Sequence, residues 1–416
     1  MTGPVTGSIT EHTRVSTGVT YRLGEDAASD RAGWSPLRVL GAASEFSLVL
    51  PDATPTRGHL YAPRGVLLDP DGDRTRVVAA DTGNHRLLVW PDVPAADGAD
   101  CAAVVGQPGP EVEGPQAGGR GPERGLHLPT GLTRAGDLLL VADGWNHRVL
   151  GYDVASLGAD DPAPVWWLGQ RDLSSVTENA GGDVTASSLY WPFGVLWHDG
   201  VLWVADTGNR RVLGWHGLPS SPDRSADVVL GQPSATERGE NRGADVAADG
   251  FRWPHQLAVQ AAGGGAVLWV ADAGNHRLLG WRLPVDADRP ADHVIGQPGF
   301  TTAAELPHVP QGPARLRFPY AVVTSGADLV VADTANNRVL AWPGGAAAGA
   351  PGAAAGVVLG QFGFDPAGEN RWSAVTPDSL CWPYGLSAAT DPARGELLAI
   401  ADSGNNRVVL WRRDPA

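Results

Sequence analysis

The sequence of 416 residues contains no lysine, only two cysteines and a single methionine. The absence of lysine excludes Schiff-base chemistry, pyridoxal phosphate attachment and a phosphate-binding P-loop. Cys101 and Cys381 form neither a CxxC site nor a disulfide framework. No apolar run reaches the roughly 18 residues of a membrane helix, and the N-terminus lacks the basic and apolar segments of a secretory signal. These absences predict a reduced, cytoplasmic protein without a membrane span.

Positive charge is also scarce. All 31 basic residues are arginines, and 46 acidic residues bring the net charge to -15. Such a balance argues against partners that are nucleic acids or anionic membranes. The 55 glycines and 34 prolines are spread along the whole chain, which indicates many tight turns.

What the sequence does contain is a long internal repeat. The pattern Asp-x-x-Asn-x-Arg, followed by an aromatic residue, occurs six times, with successive aspartates 62, 63, 66, 61 and 69 residues apart. The six copies occupy residues 81–86, 143–148, 206–211, 272–277, 333–338 and 402–407. A Gly-Gln element and an x-Pro-x-Gly-like element recur with the same period. Sixfold repetition at nearly constant spacing is typical of a propeller or solenoid.

Short apolar runs rich in Val, Leu and Trp lie between these repeated elements. They are typical of strands, four to each period. The sequence therefore predicts an all-β fold, a six-bladed β-propeller of four-stranded antiparallel blades. The last repeat lacks an outer strand, and 37–40 supplies one, so we expect the N-terminal strand to close the ring. We expect 35–416 to form one propeller domain and leave 1–34 as an unplaced extension.

The repeated turn has a predicted structural role. We expect the Asp to accept backbone N–H bonds, the Asn to adopt left-handed backbone geometry, and the Arg to form a partly buried ion pair or to bond carbonyls of a neighbouring blade. Glu-Asn pairs recur at equivalent places in three of the connections between blades, at 178–179, 240–241 and 369–370, and we interpret them as loop-shaping.

The strings VVAADTGNHRLLVW and VLWVADTGNRRVLGW resemble NHL repeats, and the long connections resemble a bacterial variant of them. This resemblance covers about nine tenths of the chain. It implies a propeller but leaves the function open, because relatives include scaffolds, RNA binders, ubiquitin-ligase modules and peptide-amidating lyases. Some propellers of this family are encoded beside multi-subunit oxidoreductases, which makes an accessory role there a further expectation.

Residues that follow the six prolines differ in every blade except the last two, so packing rules do not fix them. They are Arg64, Thr130, Phe193, His255, Tyr320 and Tyr384. We predict that these residues, together with Arg252 and Arg317 from the positions two before the prolines, line the channel mouth. Such a mouth suits a small or peptide ligand, or else its aromatic rings plug the channel.

The resemblance to peptide-amidating lyases implies a zinc site held by several histidines. His127 and His255 are the candidate ligands here, but no third histidine stands at an equivalent position. We therefore predict no metal or other cofactor.

The prediction for function is a non-catalytic binding or assembly module, monomeric, that holds a protein partner or a small ligand at its loop-rich face and channel mouth. The alternative is a metal-dependent lyase or hydrolase with its site at that mouth.

Overall fold

A computed structural model describes residues 33–41, 54–344 and 350–415. These residues form six four-stranded antiparallel sheets. The fold is an all-β, six-bladed propeller, as the repeat predicted. No helix in the described part of the chain is long and apolar enough to cross a membrane.

The 24 strands of the described residues are numbered in chain order. The strand before the first full blade is β1 (Trp34–Gly41). Blade 1 contains β2 (Gly65–Asp71), β3 (Arg74–Asp81), β4 (Arg86–Trp90) and β5 (Ala103–Val105). Blade 2 contains β6 (Pro129–Ala135), β7 (Leu138–Asp143), β8 (Arg148–Asp153) and β9 (Trp166–Leu168). Blade 3 contains β10 (Pro192–His198), β11 (Val201–Asp206), β12 (Arg211–His216) and β13 (Val228–Leu230).

Blade 4 contains β14 (Pro254–Ala262), β15 (Gly265–Asp272), β16 (Arg277–Arg282) and β17 (His293–Ile295). Blade 5 contains β18 (Pro319–Ser325), β19 (Asp328–Asp333), β20 (Arg338–Trp342) and β21 (Val357–Leu359). Blade 6 contains β22 (Pro383–Asp391), β23 (Gly395–Asp402) and β24 (Arg407–Arg413), with β1 as its outer strand.

Helical structure in the described residues is confined to short segments. One turn of 3-10 helix joins the second and third strands of each blade, at Thr82–Asn84, Gly144–Asn146, Thr207–Asn209, Ala273–Asn275, Thr334–Asn336 and Ser403–Asn405. Further short segments lie in the loops, at Pro115–Gly119, Val154–Gly158, Glu178–Gly181, Glu240–Gly243 and Glu369–Trp372.

The ring is closed by the N-terminal strand. β1 pairs antiparallel with β24, from Trp34 opposite Arg413 to Gly41 opposite Arg407. This pairing confirms the predicted closure, with a strand longer than the 37–40 segment. Of the extension placed at 1–34, residues 1–32 lie outside the described residues, and the division of the chain at that point stays a prediction.

The hydrophobic core lies between the blades. The buried apolar side chains form six clusters, each drawn from two neighbouring blades, including one shared by blades 6 and 1. The innermost strands approach one another closely as well. A Cβ atom at Gly65 would lie 1.8 Å from the carbonyl oxygen of Thr130 on the next blade, which explains the glycine of the x-Pro-x-Gly element.

In every blade the repeated aspartate is fully buried and fixes three other groups. In blade 3, Oδ1 of Asp206 accepts the backbone N–H of Tyr190 at 2.7 Å. Its Oδ2 accepts Nδ2 of Asn209 at 2.8 Å and Nε of Arg211 at 2.7 Å. The other Arg211 nitrogens donate to the carbonyls of Ala235, Thr185 and Ser188. One ion pair therefore links the turn of a blade to the connections before and after it.

The expected role of the repeated asparagine was wrong. Its side chain is needed as a donor to the aspartate, and the residue after it adopts the left-handed conformation instead. At that position φ lies between 53° and 57° in all six blades. The residues there are His85, His147, Arg210, His276, Asn337 and Asn406. The backbone N–H of this residue closes the 3-10 turn by donating three residues back, as His85 does to Thr82.

Arg211→Ala should lower the free energy of unfolding by about 3–5 kcal/mol, because it leaves the buried carboxylate of Asp206 without its cation. The matched control is Arg224→Ala in the same blade, which breaks a partly exposed pair with Asp227 and should cost about 0–1 kcal/mol. Urea denaturation followed by circular dichroism measures both. Equal effects of the two substitutions would show that the repeated arginine is not a structural centre.

Candidate functional site

The six residues that follow the prolines meet around the propeller axis. Ring centroids are 4.6 Å apart for Tyr384 and Tyr320, 4.4 Å for Tyr320 and His255, and 4.2 Å for His255 and Phe193. The guanidinium of Arg64 lies 4.8 Å from the ring centroid of Tyr384. Thr130 completes the circle, since its hydroxyl donates to the carbonyl of Phe193 at 2.8 Å. The structure thus brings all six together, with their aromatic rings packed on one another.

A glutamine that the sequence reasoning missed spans the channel beside this ring. Gln256 of blade 4 donates through Nε2 to the carbonyl of Leu386 on blade 6, at 2.9 Å, although blade 5 separates the two in the ring. The adjoining axial cavity, lined by residues including Arg64, Phe193 and Gln256, measures about 10 Å³. A cavity of that size holds at most about one water molecule. The packing is what the plug interpretation predicts, and a ligand role for these residues stays a prediction.

Burial suppresses charge in the ring. Removal from solvent, helped by the nearby Arg64, lowers the pKa of His255 to about 3, although the hydrogen bond with the carbonyl of Trp253 opposes this shift. Burial also raises the pKa of Tyr320, and the neighbouring Tyr384 adds to that shift. Both groups are therefore neutral near pH 7, which suits close packing of rings.

Arg252 and Arg317 are paired with glutamates instead of packing in this ring, and their place at the channel mouth stays a prediction. Each turns toward a glutamate of the connection that precedes its strand, with Arg252 3.1 Å from Glu240 and Arg317 2.9 Å from Glu305. The reason is the fixed backbone at their position. Its N–H donates to the buried aspartate in every blade, and in blade 4 the side chain of Arg252 lies against Gly274 of the turn.

The two histidines considered as metal ligands lie in different settings. His127 packs against His85, with ring centroids 5.1 Å apart, whereas His255 is enclosed by Phe193 and Tyr320. Within the described ranges no group of three or more His, Cys, Asp or Glu side chains is arranged to hold a metal ion.

Left-handed residues of the turns also connect neighbouring blades. Nδ1 of His85 accepts the backbone N–H of Leu128, and Nδ1 of His147 accepts that of Trp191, both at 3.1 Å. Asn406 makes the same contact through Oδ1, with the N–H of Ala62 at 2.8 Å. An acceptor at this position therefore fixes the start of the next inner strand, which carries a ring residue.

Exposed aromatic side chains gather on one face. The long connections between blades, which we call crossovers, end beside the Asp-x-x-Asn turns, and together they form what we call the crossover face. Five large hydrophobic side chains of the described residues are exposed, and Val165 is the one outside this face. The other four are Tyr61, Trp145, Trp372 and Trp382. The sequence reasoning did not single out these tryptophans. Trp145 and Trp372 stand where the other repeats have different residues, whereas two other repeats share the tryptophan at the position of Trp382.

Comparison with known proteins supports the repeat type. No protein-family model matches the chain. NHL repeat-containing protein 2 of Gallus gallus is 25% identical over 260 residues, which cover 59% of this chain and 32% of that protein. The chain thus spans about a third of the length of the curated relative it matches. This similarity, the sixfold repeat and the six blades support an NHL-repeat β-propeller.

The chain is similar to two solved structures, of which the first shares its architecture. An auxiliary nutrient binding protein from Bacteroides thetaiotaomicron has a TM-score of 0.52 at 12% identity, over 92% of this chain and 76% of that chain. Kuenenia stuttgartiensis hydrazine synthase has a TM-score of 0.48 at 11% identity, over 87% of this chain and 97% of that chain. At such identities the likeness concerns the fold alone.

Tyr320→Ala combined with Tyr384→Ala should destabilise the protein by at least about 3 kcal/mol, because it removes two stacked rings from the packed centre of the propeller. The control Tyr61→Ala removes a partly exposed tyrosine and should cost less than about 1 kcal/mol. Thermal and urea denaturation check both. Unchanged stability of the double variant would show that the rings are free to serve a ligand.

Acid should weaken the contact between blades 1 and 2. Burial, helped by the nearby His127, lowers the pKa of His85 to about 4. As the pH falls below about 6.5, the imidazole of His85 is therefore protonated in the unfolded chain but stays neutral in the folded protein. The stability from this group is complete above about pH 6.5 and declines as the pH falls toward 4.

His85→Asn tests this, because asparagine is the acceptor at the same position in blade 6. The difference in urea midpoint between about pH 7.5 and pH 5 should be smaller for the variant than for the parent protein. Replacement of the exposed His216 by Asn should leave that difference unchanged. An identical pH dependence of parent and His85→Asn would contradict the assignment.

Proposed function

We propose that this propeller is a non-catalytic binding or assembly module that holds a protein partner on its crossover face. The observation that carries the proposal is the gathering of exposed aromatic side chains there, with Trp145 and Trp191 stacked at 6.2 Å. Large exposed aromatics are enriched at protein interfaces, where they supply most of the binding energy. The nutrient-binding protein that shares the fold adds a binding role among similar propellers.

The distribution of constant and variable residues also supports this face. The five crossovers that begin at a Gly-Gln element are anchored by the repeated arginine and by that glutamine, whose Nε2 donates to backbone carbonyls, as Gln170 does to Asn146 and Thr177. Between these anchors the crossovers are free to differ. A rigid scaffold that carries variable loops on one side is a common design for recognition.

The nature of the partner follows from charge. A net charge of -15 disfavours nucleic acids and anionic membranes, and favours a protein with a basic surface. An accessory role beside a multi-subunit oxidoreductase, a monomeric state and a cytoplasmic location are part of the same proposal.

Site-specific photo-crosslinking tests the choice of face. A benzophenone amino acid in place of Trp145 on the crossover face should capture a discrete protein in cells that naturally make the chain. The same residue in place of Asp199, which is exposed in the β10–β11 hairpin at the opposite end of a blade, should not. Equal capture from both positions, or capture from neither, would contradict the proposal.

A further inference from the structure

The crossover into blade 5 departs from the others. Nine residues after the repeated glutamine, four crossovers carry an amide side chain that contacts the asparagine of the next turn. The contacts are Gln116 to Asn146 at 3.3 Å, Asn209 to Asn179 at 2.8 Å, Asn275 to Asn241 at 2.8 Å and Asn370 to Asn405 at 2.9 Å. The crossover that starts at Gln297 has Leu306 at this position, and no amide reaches Asn336 from there.

The lost contact leaves polar groups unsatisfied. Oδ1 of Asn336 is without a hydrogen-bond partner, although the residue is only 1% exposed. Oε1 of Gln311 and Nη1 of Arg315 in the same crossover are buried and unpartnered as well. A buried polar atom without a partner costs about 1–3 kcal/mol, so each of these three atoms would gain from a hydrogen-bonding ligand.

A cavity of about 600 Å³ lies over the same turn, between the crossovers into blades 5 and 6. Its volume is within the range of roughly 300–1,000 Å³ that is typical of ligand sites. Leu306 forms part of one wall, and Trp372 and Trp382 form part of the other.

Trp372 is strained as well as exposed. Its φ is 56°, at the position where the equivalent segments have Gly181 and Gly243, with φ of 75° and 76°. A bulky side chain in the left-handed region costs about 1–2 kcal/mol, and 83% of this residue faces solvent. Neither cost is offset by packing into a core. Strain of this kind at an exposed aromatic points to a ligand contact.

The charged side chains that line the cavity leave it with an excess of negative charge. Arg317 is matched by Glu305 at 2.9 Å. Among the described residues, Asp365 and Glu369 have no ion-pair partner, and Glu369 accepts only the indole N–H of Trp382, at 2.9 Å. The lining therefore carries two unmatched carboxylates beside two indole rings.

From this combination we infer that the cavity over the blade 5 turn binds the guanidinium group of an arginine on a basic segment of the protein partner. Indole faces attract cations through their quadrupole, and carboxylates accept the N–H groups of guanidinium in a paired geometry. An anionic group would be repelled by Asp365 and Glu369, and a neutral ring would leave their charges unmatched. This inference rests on the proposed function and names the chemistry of the partner.

Calorimetric titration of the full chain with acetyl-Gly-Arg-Gly-amide tests the inference. The citrulline peptide is the control, because it has nearly the same shape and no charge. The arginine peptide should bind at least tenfold more tightly, and the difference should shrink as salt is added. The double variant Asp365→Asn, Glu369→Gln should lose at least tenfold in affinity, and Trp372→Ala several-fold.

Val165→Ala removes an exposed apolar side chain outside the crossover face and should leave the affinity unchanged. Equal binding of the citrulline peptide, equal loss in Val165→Ala, or no binding of the arginine peptide would overturn the inference. Crosslinking from position 145 remains the separate test of the crossover face. If crosslinking captures a partner but the arginine peptide does not bind, the arginine site is contradicted and the proposed binding function is still supported.

Discussion

A buried ion pair between the repeated aspartate and arginine is the constraint on which the rest of the propeller depends. The carboxylate collects three donors, and the guanidinium extends the network to the carbonyls of the crossovers, so both charges are compensated inside the protein. Asp402 and Arg407 keep this arrangement in the last blade, where Arg407 donates to the carbonyls of Thr376 and Ser379 in the preceding crossover. The blades are thereby locked to loops that would otherwise have few backbone partners.

This hydrogen-bond network determines which residues must recur in every blade and which can differ. The aspartate, asparagine and arginine recur in every blade because a missing member leaves a buried charge or donor alone. The left-handed position needs only a hydrogen-bond acceptor, and so it is histidine or asparagine in five of the six blades. Arg210 is the exception: it cannot accept, and the following Trp253 is absent from the positive-φ residues found before the other five prolines. Crossover residues such as Leu306 and Trp372 lie outside this network and are free to vary.

Local and periodic features could be predicted from the sequence. Spacing of the repeat predicted six blades, four strands in each and closure by the N-terminal strand, because these depend on hydrophobic pattern and turn chemistry. The candidate site was predicted in part: the six residues after the prolines do meet, but Arg252 and Arg317 are paired with glutamates instead of packing in the ring. Gln256 bonding to Leu386, 130 residues further on, and the cavity beside Trp372 depend on how blades and crossovers meet in space, which periodicity does not encode.

Closure by β1 has a consequence for the order of events during synthesis. The strand that completes blade 6 leaves the ribosome before the other strands of the propeller, while its partner β24 is the last of these strands to emerge. Until then β1 has no neighbour, and blade 5 has no complete blade 6 on which to pack its second apolar surface. Contacts so distant in sequence are slow to form and leave strand edges open in the meantime. The propeller can therefore reach its circular state only after all of its strands have been translated.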